Sequence, residues 1–143
     1  MNNESESNSK IINQTNSEAE VKINHFYITN RNESLPKMAF SLIKGTSVSS
    51  YAFSFKIGVI RRNVHRPLTL HLKMKGANNS FAKYPLEGRQ LVFNEGWSGT
   101  EYSVDNLITN VSPNQTGEYV ATIFLDDIKV AEAETTLFIV EED

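Results

Sequence analysis

The stretch Pro67–Lys75, with the sequence PLTLHLKMK, decides the fold class, because apolar and polar residues alternate along it. In an extended chain Leu68, Leu70, Leu72 and Met74 point to one side, and the polar residues between them point to the other. Such alternation is typical of an antiparallel strand with one buried face. PLTLHLKMK is therefore predicted to form a half-buried strand.

The same pattern recurs along the chain. Ser50–Ile60 and Glu118–Leu125 alternate as clearly. Weaker strands are predicted at Val21–Thr29, Lys37–Lys44, Ser80–Tyr84, Arg89–Phe93, Glu101–Thr109 and Ile128–Val140. Turn formers separate them, for example at Asn94–Gly99, and no segment carries a helical apolar stripe. We therefore expect an all-β protein with a single antiparallel β-sandwich of seven to nine strands.

Composition separates residues 1–20 from the rest. They are mostly Asn, Ser, Glu, Gln and Thr, with Ile11 and Ile12 as the only bulky apolar residues. Such a segment cannot bury enough surface to offset the entropy of ordering, so we expect a flexible polar tail over 1–20 and one domain over 21–143. The chain has no cysteine, no leader-like apolar segment and no apolar run of membrane-spanning length, and a cytoplasmic location is expected.

Charge is divided along the chain. Residues 34–86 contain nine Lys or Arg and no acid, whereas residues 87–143 contain twelve acids and two bases. Such a division can mark an anion-binding face or complementary surfaces for self-assembly. It can also arise from two sets of strands that fold against each other.

The last third of the chain resembles the final three strands of immunoglobulin-like domains. In that family a strand with leucine, an N-V-x-P turn and G-x-Y precede a hairpin and a last alternating strand. The matching elements here are Leu107 to Val111, Pro113, Gly117-Glu118-Tyr119 and Thr135–Val140. The resemblance implies an immunoglobulin-like sandwich in which the Tyr119 ring is buried and its hydroxyl can reach back to the preceding turn. The strand layout is also similar to small bacterial immunoglobulin-like proteins of uncharacterised role.

The departures from the family pattern limit what can be carried over. Ala121 stands where antibody-type domains have their second cysteine, and Gln115 stands where an Asp is usual. Trp97, the only tryptophan, is not on the strand where those domains bury theirs. The resemblance therefore implies the fold but not an antibody-like or adhesive function.

The densest candidate site is the segment Arg61-Arg62-Asn63-Val64-His65-Arg66, interpreted as a loop between two strong strands. The guanidiniums of Arg61, Arg62 and Arg66 could grip phosphate or carboxylate there. The alternative is internal pairing. In the immunoglobulin topology Ser50–Ile60 lies beside Glu101–Thr109, and Pro67–Lys75 lies beside Glu118–Leu125. The arginines would then lie near Asp126 and Asp127 of the same molecule.

Trp97 is the second candidate, in a predicted loop flanked by glycines. An exposed tryptophan there could stack on a sugar ring or anchor a protein partner, and the alternative is a side chain that plugs the end of the sandwich. His25, His65 and His71 lack the spacing of a metal site, and His71 is predicted to face the surface. Asp126-Asp127 is interpreted as a turn rather than a catalytic pair.

No enzyme motif is present, so we expect a protein that is not an enzyme and needs no cofactor or metal. The expected function is a bacterial or phage protein-interaction module that binds another protein or itself. One alternative is a polyanion or nucleic-acid binder that uses Arg61, Arg62 and Arg66. The second alternative is a carbohydrate-binding module that uses Trp97.

Overall fold

The protein is all-β in a computed structural model, which describes residues 19–45, 48–87, 90–111 and 116–142 without the side chains of residues 48, 49, 109 and 110. Most of the predicted tail, Arg89, Gln115 and the predicted turn at Pro113 lie outside the described residues. The strands are β1 Glu20–Asn30, β2 Ala39–Ile43, β3 Val48–Arg62, β4 Leu68–Met74, β5 Ala82–Pro85, β6 Leu91–Val92, β7 Trp97–Val111, β8 Thr116–Leu125 and β9 Ile128–Glu142.

The strands form two sheets. Sheet 1 has four strands in the order β1-β3-β7-β6, and sheet 2 has five in the order β2-β9-β8-β4-β5. The long strands β3 and β7 pair antiparallel, as do β4 and β8, so both pairings expected from the sequence are present. The expectation of a wholly antiparallel fold is wrong at one place, because β2 pairs parallel with β9. The cause is the segment from Arg31 to Met38, which carries the chain from the edge of sheet 1 to the edge of sheet 2.

The core is built from the alternating residues of both sheets. Its fully buried side chains include Phe53 and Phe55 of β3, Leu70 of β4 and Ile123 of β8. Each such side chain contributes about 1.5–3 kcal/mol on burial. Met74 is the exception to the predicted stripe, since it is 48% exposed at the end of β4.

The turn between β8 and β9 confirms the interpretation of Asp126-Asp127. Both residues have positive φ, at 50° and 65°, and Leu125 pairs directly with Ile128 across the turn. A two-residue hairpin of this kind requires left-handed backbone, which Asp tolerates better than most residues. The pair is therefore a turn former.

Candidate functional site

The three arginines predicted to share a loop diverge in the structure. Arg61 and Arg62 are the last residues of β3 rather than part of the loop, and Arg66 lies just before β4. Because successive side chains of a strand point to opposite faces, Arg61 and Arg62 leave β3 in opposite directions. The three guanidiniums therefore do not form one anion-binding cluster.

Arg62 and Trp97 lie against each other on the outer side of sheet 1. They are direct partners in the β3–β7 register, so Trp97 begins a strand and the predicted loop position is wrong. The guanidinium carbon of Arg62 lies 4.5 Å from the centre of the indole ring, and the Nζ of Lys22 lies 5.2 Å from it. Arg62 also forms an ion pair with Glu20, its partner in β1. The indole is thus covered by its own chain's cations.

Arg61 points inward and is 6% exposed, in line with the core residues Phe53, Phe55, Ile57 and Val59. Its Nε and Nη2 atoms are buried and have no hydrogen-bond partner among the described residues. Burial lowers the pKa of its guanidinium. Buried guanidinium N–H groups without a hydrogen-bond partner destabilise the fold.

Arg66 forms an exposed ion pair with Asp126, as the internal-pairing alternative predicted. Lys75 after β4 pairs in the same way with Glu134 of β9, at 2.9 Å between Nζ and Oε1. Basic residues of the middle of the chain thus meet acidic residues of its end. Folding therefore compensates part of the charge division, although Arg61 has no ion pair among the described residues.

One edge of sheet 1 is open. β6 pairs only with Ser98 and Gly99, at the start of β7. From Thr100 to Val111 no strand among the described residues runs along that edge of β7. The chain crosses from sheet 2 to sheet 1 beside Tyr102, whose hydroxyl donates a hydrogen bond to the carbonyl of Glu87. Past this crossing no strand of the described residues pairs with the outer edge of β7, so its backbone groups there are available to a further strand.

A cleft of about 350 Å³ lies beside this open edge, between the two sheets. β7 contributes Leu107 and Ile108, sheet 2 contributes Tyr119 and Leu137, and Phe81 closes one side. The rings of Phe81 and Tyr119 meet edge to face with centroids 6.2 Å apart. We call the edge of β7 over residues 104–111 together with this cleft the open-edge site. Its volume is near the lower end of the range typical of ligand pockets, roughly 300–1,000 Å³.

The chemistry of the cleft is that of a binding surface. Its described lining contains no carboxylate, amine, imidazole or aliphatic hydroxyl, and its polar groups are the amides of Asn79 and Asn106 and the Tyr119 phenol. Burial raises the pKa of Tyr119, so the phenol is protonated at neutral pH. Its ring is buried as expected, whereas the preceding turn at Pro113, which its hydroxyl was predicted to reach, lies outside the described residues. The site can accept apolar side chains but offers no general base or nucleophile.

Two further findings concern the described residues as a whole. No group of three or more His, Asp or Glu residues is placed to hold a metal ion in the described part of the chain. No helix there is long and apolar enough to cross a membrane.

Comparisons with known proteins yield distant structural similarities. No protein-family model matches the chain, and no curated protein sequence matches it. A bacterial adhesin from Mobiluncus mulieris, which contains intramolecular disulfide, isopeptide and ester bond cross-links, is 10% identical over 82% of this chain, with a TM-score of 0.48. Bifidobacterium dentium β-glucuronidase is 12% identical over 84% of this chain, with a TM-score of 0.42. The chain spans 56% of the first and 18% of the second. Both TM-scores are too low to carry an argument about family or function.

Proposed function

We propose that the chain is an immunoglobulin-like β-sandwich that works as a non-catalytic protein-interaction module. The strand order supports the fold. Immunoglobulin domains place strands A, B, E and D in one sheet and C, F and G in the other. If β3 is B, β7 is E, β4 is C and β8 is F, sheet 1 and the β9-β8-β4 part of sheet 2 follow that order.

The open-edge site is the surface that carries this proposal. A partner segment that adds a strand to β7 gains main-chain hydrogen bonds, each with a net contribution of about 0.5–1.5 kcal/mol. Alternate side chains of that segment point toward the sandwich and enter the cleft between Ile108 and Tyr119. The side chains between them lie on the outer face of β7 beside Leu107, which is 59% exposed, so covering it adds apolar burial to the backbone contacts.

The occupant in this proposal is an extended segment of another protein with apolar residues at alternate positions and basic residues between them. Charge argues for the basic residues, because Glu101 and Asp105 stand on the outer face of β7 and Arg31, at 3.7 Å, is the only ion-pair partner of Asp105 among the described residues. Two copies of β7 paired antiparallel would bring these acidic edges together, and like charges across strands are destabilising. Binding to another protein is therefore favoured over self-association.

The two other functions expected from the sequence draw less support. A polyanion grip needs Arg61, Arg62 and Arg66 together, whereas their side chains diverge into the core, toward Glu20 and toward Asp126. Stacking of a sugar on Trp97 needs an uncovered ring, and the Arg62 guanidinium lies over it.

Selection of peptides tests the proposal. A phage-displayed library of random peptides is panned on the wild-type protein, and selected peptides are measured by calorimetry on wild type and on Leu107→Lys. Ile128→Lys is the matched control, since Ile128 has a similar exposed fraction but lies in the β8–β9 hairpin. We expect peptides with apolar residues at alternate positions and basic residues between them. Their affinity should fall about tenfold or more on Leu107→Lys, because the new ammonium group repels the basic residues, and stay unchanged on Ile128→Lys.

Two results would refute the proposal. One is a library that yields no peptide binding the wild type better than Leu107→Lys. The other is a concentration-dependent dimer, seen by size-exclusion chromatography with light scattering, that Leu107→Asp abolishes. The second result would assign the site to self-association.

A further inference from the structure

A second concave site lies on sheet 2, and it is lined by polar rather than apolar residues. Its volume is about 380 Å³. His71 and Lys73 of β4 and Thr122 and Phe124 of β8 contribute to it, and the loop at Asn78–Ser80 and Lys83 of β5 complete the lining. We call it the lysine groove. Apart from Asn79, none of these residues lines the cleft of the open-edge site.

The charge of the groove is not balanced from within. Lys73, Lys83 and Lys129 line it together with one acid, Glu132. Glu132 already interacts with Lys129, at 3.6 Å, and with the Thr122 hydroxyl, at 3.4 Å. Lys73 donates to the carbonyl of Ala77 at 3.4 Å, and Lys83 has no ion pair among the described residues. The ammonium groups of Lys73 and Lys83 therefore line the groove without an anionic partner in the part of the chain that the structure describes.

The remaining lining adds hydrogen-bond donors and a pair of aromatic rings. The side-chain amides of Asn78 and Asn79 and the hydroxyl of Ser80 stand beside the lysines. The rings of His71 and Phe124 lie 4.5 Å apart between centroids, with their planes tilted by 42°. Ammonium, amide and hydroxyl donors are the groups that bind phosphate oxygens, and the ring pair offers an apolar surface to a sugar or base.

The surroundings favour a small ligand over a polymer. Glu134 flanks the groove, because it pairs with Val120, which in turn pairs with Lys73. Asp127 is close enough to His71 to interact with its charge, and the whole chain has a net charge of -3. A nucleic acid would need a basic surface wider than the groove, so its phosphates would meet these acids. A compound that fits within the groove avoids them.

We propose that the lysine groove binds a small phosphorylated ring compound, with the phosphate held by Lys73, Lys83 and the Asn78–Ser80 loop and the ring placed on His71 and Phe124. This site is separate from the open-edge site, and neither requires the other.

Titration of ¹⁵N-labelled full-length protein tests the proposal, with glucose 6-phosphate and glucose as probes. Lys83→Gln removes one charge at an exposed position, and Lys56→Gln is the matched control because Lys56 lies on the outer side of sheet 1, bonded to Ser103. We expect glucose 6-phosphate to shift the amides of β4 and residues 78–80. Its affinity should fall about tenfold on Lys83→Gln, the loss of one charge-assisted hydrogen bond, and stay unchanged on Lys56→Gln.

Three outcomes would overturn the proposal. The first is the absence of shifts in β4 and residues 78–80 at probe concentrations of about 10 mM, which corresponds to negligible affinity. The second is an equal loss of affinity on Lys83→Gln and Lys56→Gln, which would indicate attraction by overall charge. The third is glucose binding as tightly as glucose 6-phosphate.

Discussion

Leu107 and Tyr119 line the same cleft although Leu107 belongs to the four-stranded sheet and Tyr119 to the five-stranded one. The contact surface they create is open because β6 accompanies β7 for only two residue pairs. A strand that docks on β7 would therefore reach both sheets at once, through its backbone on sheet 1 and its side chains between the sheets.

Gly117→Ala is expected to disturb this cleft. A Cβ at Gly117 would lie 2.7 Å from Cε2 of Tyr119 and 2.8 Å from its hydroxyl oxygen, so the ring must move. We expect the free energy of unfolding to fall by about 1–3 kcal/mol, the usual range for overpacking. Urea denaturation measures this change, with Thr116→Ala at the neighbouring exposed position as control. Unchanged stability would show that the Tyr119 ring is not held against Gly117.

Arg61→Met is expected to stabilise the fold, whereas Arg62→Met is not. Met keeps most of the apolar stem of Arg61 and removes a buried guanidinium whose Nε and Nη2 have no hydrogen-bond partner among the described residues. Replacing buried ion pairs by apolar side chains stabilises other proteins by about 1–4 kcal/mol, and we expect a gain within this range. At Arg62 the same change removes the Glu20 ion pair and the indole contact, at a cost of about 0.5–2 kcal/mol. Thermal denaturation of both variants measures these changes in stability. A destabilised Arg61→Met protein would mean that Arg61 has a partner outside the described residues.

The ion pair of Arg66 and Asp126 is expected to contribute little. Both side chains are largely exposed, so a double-mutant cycle with Arg66→Ala and Asp126→Ala should give a coupling of about 0.2–1 kcal/mol. Because Asp126 has positive φ, Asp126→Asn is the better acidic-side variant if alanine strains the turn. The coupling should shrink at about 1 M salt, where the screening length is short. A large, salt-independent coupling would contradict a solvent-exposed pair.

His71 is expected to titrate below the ordinary histidine range. Desolvation is the main cause that lowers the pKa of His71, and the charge of Lys83 lowers it further. Asp127 has the opposite, smaller effect, and Lys73 and Glu132 also line the groove. The unfolded chain then takes up its proton at higher pH than the folded one. The contribution of His71 to stability is therefore complete above its unfolded pKa and is lost as pH falls from there toward the folded pKa.

An NMR titration of the His71 ring protons in wild type and Lys83→Gln measures this effect. The midpoint should rise in Lys83→Gln, because a repelling charge is removed. A midpoint unchanged by Lys83→Gln would place the ammonium of Lys83 away from the imidazole, which would also weaken the case for the lysine groove.

The strong strands and their core faces could be predicted from the sequence, because alternation reports burial directly. Leu68, Leu70 and Leu72 are buried as the stretch Pro67–Lys75 indicates. The same alternation also predicts the burial of Arg61, because Arg61 continues the face of Ile57 and Val59. The Trp97 strand was hidden by the turn-forming glycines on either side of it.

The open-edge site could not be predicted from alternation. It depends on which strand ends beside which, and its lining comes from residues as distant in sequence as Met74, Leu107 and Leu137. The edge stays open because β6 is much shorter than β7. The ends of strands are the feature that a sequence pattern predicts least reliably. The lysine groove likewise needs the fold of the Asn78–Ser80 loop against sheet 2.

The most direct test of the central claim is amide hydrogen exchange of β7 with and without a selected peptide bound. Residues 104–111 form the free edge, so alternate amides there should exchange quickly in the free protein and become protected about tenfold or more when the peptide adds a strand. The amides of β1, at the opposite edge of sheet 1, should not change. Protection confined to β1 or to sheet 2, with β7 unaffected, would contradict the account.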